Sequence, residues 1–285
     1  MRQLRRGIDL RATVVAVAIG ALCIGATATA DFITDFENYI GQPTGFPITG
    51  QQGWYIPSGT TSVDYLVYTY FDNSIGLPQN PGGGIFFAGG TGPGDGATYA
   101  RGQHDFTPTA ALWEFSYDFA CAFDSPDPAA NNLGSFSGQS APNPFIHIFT
   151  WVPGLEGVSF TAGYMFNDAA GTQFPAPGEI PGPQWDNLLL NNWYRSTMMI
   201  DFVTNQCIEV SIMDVTGGGG ATSFTPTDWY LDGGQGGTSA MEAFRMFAGG
   251  GAPGNSVGFD NFMIREMTAT AVEPTTWGAI KNQFK

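Results

Sequence analysis

Oxygen-bearing side chains gather at the two ends of the region that follows residue 30. Asp35 and Glu37 lie in Asp31-Phe32-Ile33-Thr34-Asp35-Phe36-Glu37-Asn38, near its start. Asp260 and Asn261 lie in Val257-Gly258-Phe259-Asp260-Asn261-Phe262-Met263-Ile264-Arg265, near its end. Carboxylate and amide oxygens are what a hard divalent cation takes, about six to eight at a time and partly from backbone carbonyls. The plainer reading of the same residues is a turn at Asp260-Asn261 and a solvated Glu37. A second set is Glu114, Ser116 and Asp118, at alternate positions. Paired carboxyls that hydrolyse a glycosidic bond sit roughly 5–9.5 Å apart. On a strand that rises about 3.3 Å per residue, Glu114 and Asp118 are about 13 Å apart, too far to act together. A third set is aromatic. Trp185 stands beside Asp186 and Asn187 in a Pro/Gly-rich stretch, and Trp229 and Tyr230 stand between Asp228 and Asp232. Rings with polar neighbours are what a sugar stacks on, so Trp185, Trp229 and Tyr230, with Asp228, are the candidate ligand platform. The competing reading is that a chain with 14% aromatic residues buries these rings.

Other chemistries lack their residues. The two histidines, His104 and His147, stand in no catalytic motif, and His147 shares its run with Phe145, Phe149 and Trp151, as a core or groove histidine would. There is no Gly-x-Ser-x-Gly turn and no Cys–His pairing to supply a nucleophile. Gly90-Thr91-Gly92 has no amphipathic helix after it to hold a phosphate, and reads as part of a hairpin loop. Trp54, Trp113, Trp151 and Trp193 read as core.

The elements that would position these groups are strands. Gly reaches 40 and Pro 19 in 285 residues, and charged residues are only 12%. That composition suits many strands joined by turns. In Leu112–Ala120 the rings of Trp113, Phe115, Tyr117 and Phe119 alternate with Glu114, Ser116 and Asp118, so the rings face a core and the polar set faces water or a cleft. Residues 192–203 and 207–215, around Thr204-Asn205-Gln206, form the clearest hairpin. The stretches 124–144 and 167–184 read as long polar loops.

Arg2, Arg5, Arg6 and Arg11, an apolar run over 12–26 and Ala28-Thr29-Ala30 read as a signal peptide, 1–30, with a small-x-small cleavage site. Its removal takes away four arginines and one aspartate, leaving six basic residues against twenty-four acids. The balance of about −18 argues against nucleic acid and against an anionic membrane surface. It suits a soluble exported protein, secreted, periplasmic or at the cell surface, with no membrane insertion after cleavage. Cys121 and Cys207 are then either a disulfide or two buried thiols. Residues 31–266 make one large all-β domain. Residues 267–285 are a linker and a short amphipathic helical tail with Trp277, Ile280 and Phe284 on one face, which could dock to a partner.

Leu112–Phe119, Trp193–Val215 and Phe244–Ile264 together resemble the concanavalin A-like, laminin-G-like jelly rolls of exported bacterial proteins. Phe36-Glu37 with Asp260 is similar to the carbohydrate-binding modules of that architecture. The resemblance implies an antiparallel β-sandwich, a polysaccharide or extracellular-matrix partner, and a structural calcium joining first and last strands through Asp35, Glu37, Asp260 and Asn261. It also names what is missing: laminarinase-like enzymes of this fold carry a central acid where Ser116 stands. The expected function is non-catalytic glycan or matrix binding. The alternatives are a surface-layer protein without a small ligand and a polysaccharide-degrading enzyme.

Overall fold

The computed structural model describes residues 31–95, 97–122, 133–139, 145–152, 159–176, 183–239, 241–249 and 254–267; the leader and the tail beyond 267 lie outside them. The strands are β1 (Phe32–Thr34), β2 (Phe46–Pro47), β3 (Ser62–Asp64), β4 (Leu66–Thr69), β5 (Phe86–Thr91), β6 (Tyr99–Asp105), β7 (Leu112–Ala122), β8 (Gly134–Gln139) and β9 (Phe145–Val152). After them come β10 (Ser159–Asn167), β11 (Gln173–Phe174), β12 (Pro183–Leu189), β13 (Tyr194–Asp201), β14 (Gln206–Asp214), β15 (Thr222–Phe224), β16 (Ala243–Ala248) and β17 (Ser256–Glu266). No helix occurs among the described residues.

These strands make an antiparallel β-sandwich. A nine-stranded sheet runs β15-β14-β13-β7-β17-β5-β4-β2, with β1 also on β17. An eight-stranded sheet runs β11-β10-β9-β8-β16-β6-β3, with β12 on β10. Among the described strands only β3 and β6 pair in parallel, and Gln42 makes an isolated parallel bridge to Tyr68. The first and last strands do meet, Phe32 opposite Ile264 and Thr34 opposite Phe262. The expected hairpin is β13–β14, and β7 lies between β13 and β17.

The period of two in β7 sets the core. Trp113, Phe115, Tyr117 and Phe119 are buried between the sheets, where Tyr117 meets Phe136 at 4.5 Å and Phe106 meets Trp113 edge-on at 4.9 Å. Phe244 and Met246 of β16 and Phe259, Phe262 and Ile264 of β17 fill the space between. In β17 the alternation is broken on purpose. Asn261 takes φ 48° and the register with β7 shifts between Asp260 and Met263. Such a bulge re-aims side chains. It leaves Phe259 and Phe262 in the core while Asp260 and Asn261 both reach the Asp118 side of the sheet.

The polar set of β7 is not at the surface. Glu114, Ser116 and Asp118 are buried too. Arg265 pairs with Glu114 and Thr197 with Ser116, and the segment between β4 and β5 covers the Asp118 end of this outer face. Leu77 packs there with Tyr68, Tyr70, Phe87, Ala120, Ala122 and Trp193 in a second apolar cluster. Asn73 holds the segment's turn, donating to the carbonyls of Tyr70 and Leu77 and accepting from the Leu77 amide. The Trp193 indole donates to the Pro78 carbonyl at 2.8 Å.

Candidate functional site

Each sheet carries a polar network on its outer face, and each network centres on an arginine. On the nine-stranded sheet, Asp118 of β7 and Asp260 of β17 are directly opposed and fully buried. Arg195 of β13, opposite Asp118 on its other side, grips it with two bonds, Nε to Oδ1 at 2.7 Å and Nη2 to Oδ2 at 3.0 Å. Asn80 Nδ2 donates to both carboxylates, Asn261 Nδ2 donates to Asp118 at 2.8 Å, and the Tyr70 hydroxyl donates to Asp260 at 2.7 Å. Two carboxylates thus share one guanidinium. Burial, reinforced by the Asp118 charge, pushes the Asp260 carboxyl up to about 7 despite its hydrogen bonds. Burial and then Asp260 push the Tyr70 hydroxyl well above the usual phenol range. The covering segment must approach closely. A Cβ at Gly83 would collide with the Asp260 carboxylate, and one at Gly84 with Glu37.

This arrangement decides how the expected calcium ligands fit. Asp35 is exposed and accepts the Glu37 amide. The Glu37 carboxylate accepts the backbone amides of Ile85 and Phe86, at 2.5 and 2.9 Å. Asp260 oxygens face the Asn261 amide, Tyr70 and Asn80. Both Asp260 oxygens, Glu37 Oε1 and Asp35 Oδ1 accept from N–H or O–H donors, which repel a cation. Among the described residues no three His, Cys, Asp or Glu side chains gather as a metal would need. The four residues do not fit a calcium ion in this arrangement: Glu37 and Asp260 hold the covering segment and its ends, Asn261 donates to Asp118, and Asp35 caps the Glu37 amide.

The aromatic platform is also placed differently. Trp229 and Tyr230 are buried, at 7% and 6% exposure. Trp229 stacks on Phe166 at 4.7 Å and leans on Tyr164 and Phe224. The Tyr230 backbone bridges Asn167 and Gln206, which holds both rings at the end of the sandwich. Trp185 lies in β12 rather than in a loop, opposite Ala162, half-buried with its ring edge-on to Tyr164. Asp228 is exposed beside Thr227. Trp54, Trp113 and Trp193 are core residues as expected. The side chains of His147 and Trp151 in β9 lie outside the described residues.

Cys121 and Cys207 are free, buried thiols. They lie near opposite ends of β13, since Tyr194 pairs with Phe119 and Ile200 with Cys207. At about 3.3 Å per residue that separates them by more than about 20 Å, far beyond disulfide reach. Of the two readings of the cysteines, the pair of thiols holds, and burial pushes both thiols up and makes them inert. His104 is likewise a packing residue. Its ring nitrogens lie against the carbonyls of Asp105 and Gln52, and the ring stacks on Phe244.

The second network lies on the eight-stranded sheet. Register partners share a face, so three rows can be read across β6, β16 and β8. They are Asp105–Ala243–Gln139, Gln103–Arg245–Ser137 and Arg101–Phe247–Ser135. Phe244 and Met246 point into the core, which sends Arg245 to the outer face. Arg245 donates Nε and Nη2 to Gln103 Oε1, at 2.8 and 2.6 Å. Gln103 Nε2 donates to the Tyr55 hydroxyl at 2.8 Å, and that hydroxyl donates to Asp105 Oδ1 at 2.7 Å. Tyr55 is held in place by a two-way backbone pairing with Gln103. Gln139 Nε2 donates to Ser137 Oγ at 2.7 Å, while its buried Oε1 has no partner. One row along, the Arg101 guanidinium lies over the rings of Tyr99 and Phe247, 4.8 and 5.3 Å from their centroids. Burial, with the Arg101 charge second, pulls Arg245 down to about 10. Burial and the bond to Asp105 raise Tyr55. None of Tyr55, Gln103 and Arg245 stands out in sequence; the one trace is a charged residue alternating with core positions in Phe244-Arg245-Met246.

No protein-family model matches the chain, and no characterised protein sequence matches it. Among solved structures it is similar to a carbohydrate esterase from a Shiga toxin-encoding bacteriophage, phi24B (12% identity, 83% of this chain and 100% of that one, TM-score 0.47). It is similar also to peanut lectin (13%, 85% and 99%, 0.46) and to an endo-β-1,4-glucuronan lyase from the fungus Trichoderma reesei (13%, 83% and 95%, 0.42). These are distant likenesses in the course of the chain.

Proposed function

We propose that the protein is an exported, glycan-binding jelly roll that takes its ligand on the outer face of the eight-stranded sheet without cleaving it. The observation that carries this reading is the polar row that runs from Asp105, Tyr55 and Gln103, which reach the surface, to the buried Arg245, Ser137 and Gln139. Donors and acceptors at sheet spacing, one of them a buried acceptor with no partner, are what sugar hydroxyls and ring substituents can satisfy. The opposed carboxylates of the other face support binding over hydrolysis. They lie under the 71–84 segment and are held by Arg195, Asn80, Asn261 and Tyr70, so neither is free to act on a glycosidic bond. Export is supported by the basic leader, apolar run and Ala-Thr-Ala ending. The test is a glycan array probed with the purified protein and with Gln103→Ala. Selective binding that weakens at least tenfold in the variant supports the reading. A blank array, or binding indifferent to Gln103, overturns it.

A further inference from the structure

The charged residues of this chain are distributed in a way that the polar row alone does not explain. The described region holds four arginines and is heavily outnumbered by acids. Arg195 is paired with Asp118 and Arg265 with Glu114, both on the nine-stranded sheet. Arg101 and Arg245, both on the eight-stranded sheet, have no carboxylate partner among the described residues. Carboxylates are abundant in the chain, yet among the described residues neither of these arginines is held by one, and Arg101 donates instead to the Thr61 carbonyl and the Ser62 hydroxyl.

Arg245 is the more telling of the two. It is only 3% exposed. Burying a guanidinium away from a counter-charge is costly, and the cost is usually met by pairing. Its partner here is a neutral amide oxygen. Of the five N–H groups of a guanidinium, Gln103 takes one on Nε and one on Nη2. That fixes one edge of the plane and leaves the Nη1–Nη2 edge, the pair that matches a planar anion with two parallel bonds. Gln103 is in turn locked by Tyr55, so the guanidinium is oriented before any ligand arrives. Two further polar atoms on the same face are buried without partners, Gln139 Oε1 and Arg101 Nε. The first is an acceptor suited to a hydroxyl, the second a donor suited to another anionic oxygen.

Resting on the glycan reading above, we infer that the glycan is an acidic one. Arg245 receives an anionic group of the sugar, Gln139 accepts from a hydroxyl, and Arg101 receives the anionic group of a neighbouring unit. The anionic group is a carboxylate or a sulfate ester. The rest of the molecule is strongly acidic and repels such a polymer, so recognition is local to these two buried cations. Buried pairs are screened less by salt than surface ones, and binding therefore survives moderate salt, unlike binding to an open basic groove.

The test is calorimetric titration of the whole protein with three probes: a homopolymer of uronic acid, the same polymer with its carboxyls reduced to alcohols, and a sulfated neutral glucan. Binding of the uronic acid polymer, weakened at least tenfold by reduction, supports the inference with carboxylate as the recognised group. Binding of the sulfated glucan alone supports it with sulfate. In either case Arg245→Gln abolishes the preference, and Arg101→Gln, at a less buried position, weakens binding severalfold. Equal binding of native and reduced polymer overturns the acidic-sugar inference and leaves the glycan reading intact. Failure of all three probes overturns both. The native-against-reduced comparison uses the unmodified protein, so it stands even if Arg245→Gln does not fold.

Discussion

Arg195 and Arg245 occupy equivalent situations on opposite faces of one sandwich, each at mid-sheet, with a side-chain amide among its neighbours and a tyrosine hydroxyl in its network. They differ in charge. Arg195 faces two carboxylates, and the set is closed over by Asn80, Tyr70 and the 71–84 segment. Arg245 faces a glutamine, and the nearest acid of its network, Asp105, is exposed and reached only through Tyr55. The first network has more negative charge than its cation balances, with both carboxylates buried and the arginine partly exposed. In the second the arginine itself is buried, and among the described residues no carboxylate pairs with it. The difference teaches that carboxylates held by a full set of donors read as structure, whereas a buried arginine set against a neutral amide reads as half of an interaction.

The comparison can be broken first at Arg195. Arg195→Ala leaves Asp118 and Asp260 buried together without a cation, and removing one partner of such a pair costs about 3 kcal/mol after allowing for the partial exposure of the arginine. Urea unfolding measures it. A loss below about 0.5 kcal/mol would mean that the network is decorative.

The next effect is on the pH dependence of stability. Asp260 is raised above its unfolded value, so between about pH 4 and pH 7 the native state binds more protons than the unfolded one. Stability therefore falls as pH rises through that window, by an amount on the order of a few kcal/mol. Asp260→Asn removes the slope whatever its absolute stability, and unfolding curves at pH 5 and pH 8 would show it. The second network behaves oppositely. Tyr55 is raised and Arg245 stays charged up to about 10, so ligand binding is flat from pH 5 to pH 8 and weakens as pH approaches 10.

The smallest effect concerns calcium. Because Glu37 and Asp260 are committed to donors, calcium and chelator leave the melting temperature the same within about 1 °C, whereas a site loaded well above its dissociation constant would add several degrees. A clear rise with calcium would restore a metal at the chain ends.

Much of the frame is legible in sequence because period two is a strong signal where large rings supply it. Trp113, Phe115, Tyr117 and Phe119 mark β7, whereas in the closing strand the bulge at Asn261 sets the core rings Phe259 and Phe262 three apart. The weak points are strands whose residues are small. Gly134-Ser135-Phe136-Ser137-Gly138-Gln139 reads as loop yet is β8, with one ring inward and Ser135, Ser137 and Gln139 outward. Gly90 and Thr91 read as part of a hairpin loop yet belong to β5. A Cβ at Gly90 would run into the Tyr65 ring, so glycine there serves close packing within the sandwich rather than a turn. The platform reading of Trp229 and Tyr230 failed for a related reason: flanking aspartates suggest a surface, but the backbone bridges of Tyr230 draw both rings inward. The candidate site was hidden because its meaning lies in register. Nothing local to Arg245 says that its cross-strand neighbours are Gln103 and Ser137 rather than an acid.

The central claim, that the eight-stranded face takes the ligand and the nine-stranded face does not, is tested most directly by hydrogen exchange with and without saturating polysaccharide. Slowed exchange in 99–105, 134–139 and 243–248, with 71–84 unchanged, is the expected result. Protection confined to 71–84 and 256–266, with the Arg245 strands unchanged, would contradict it.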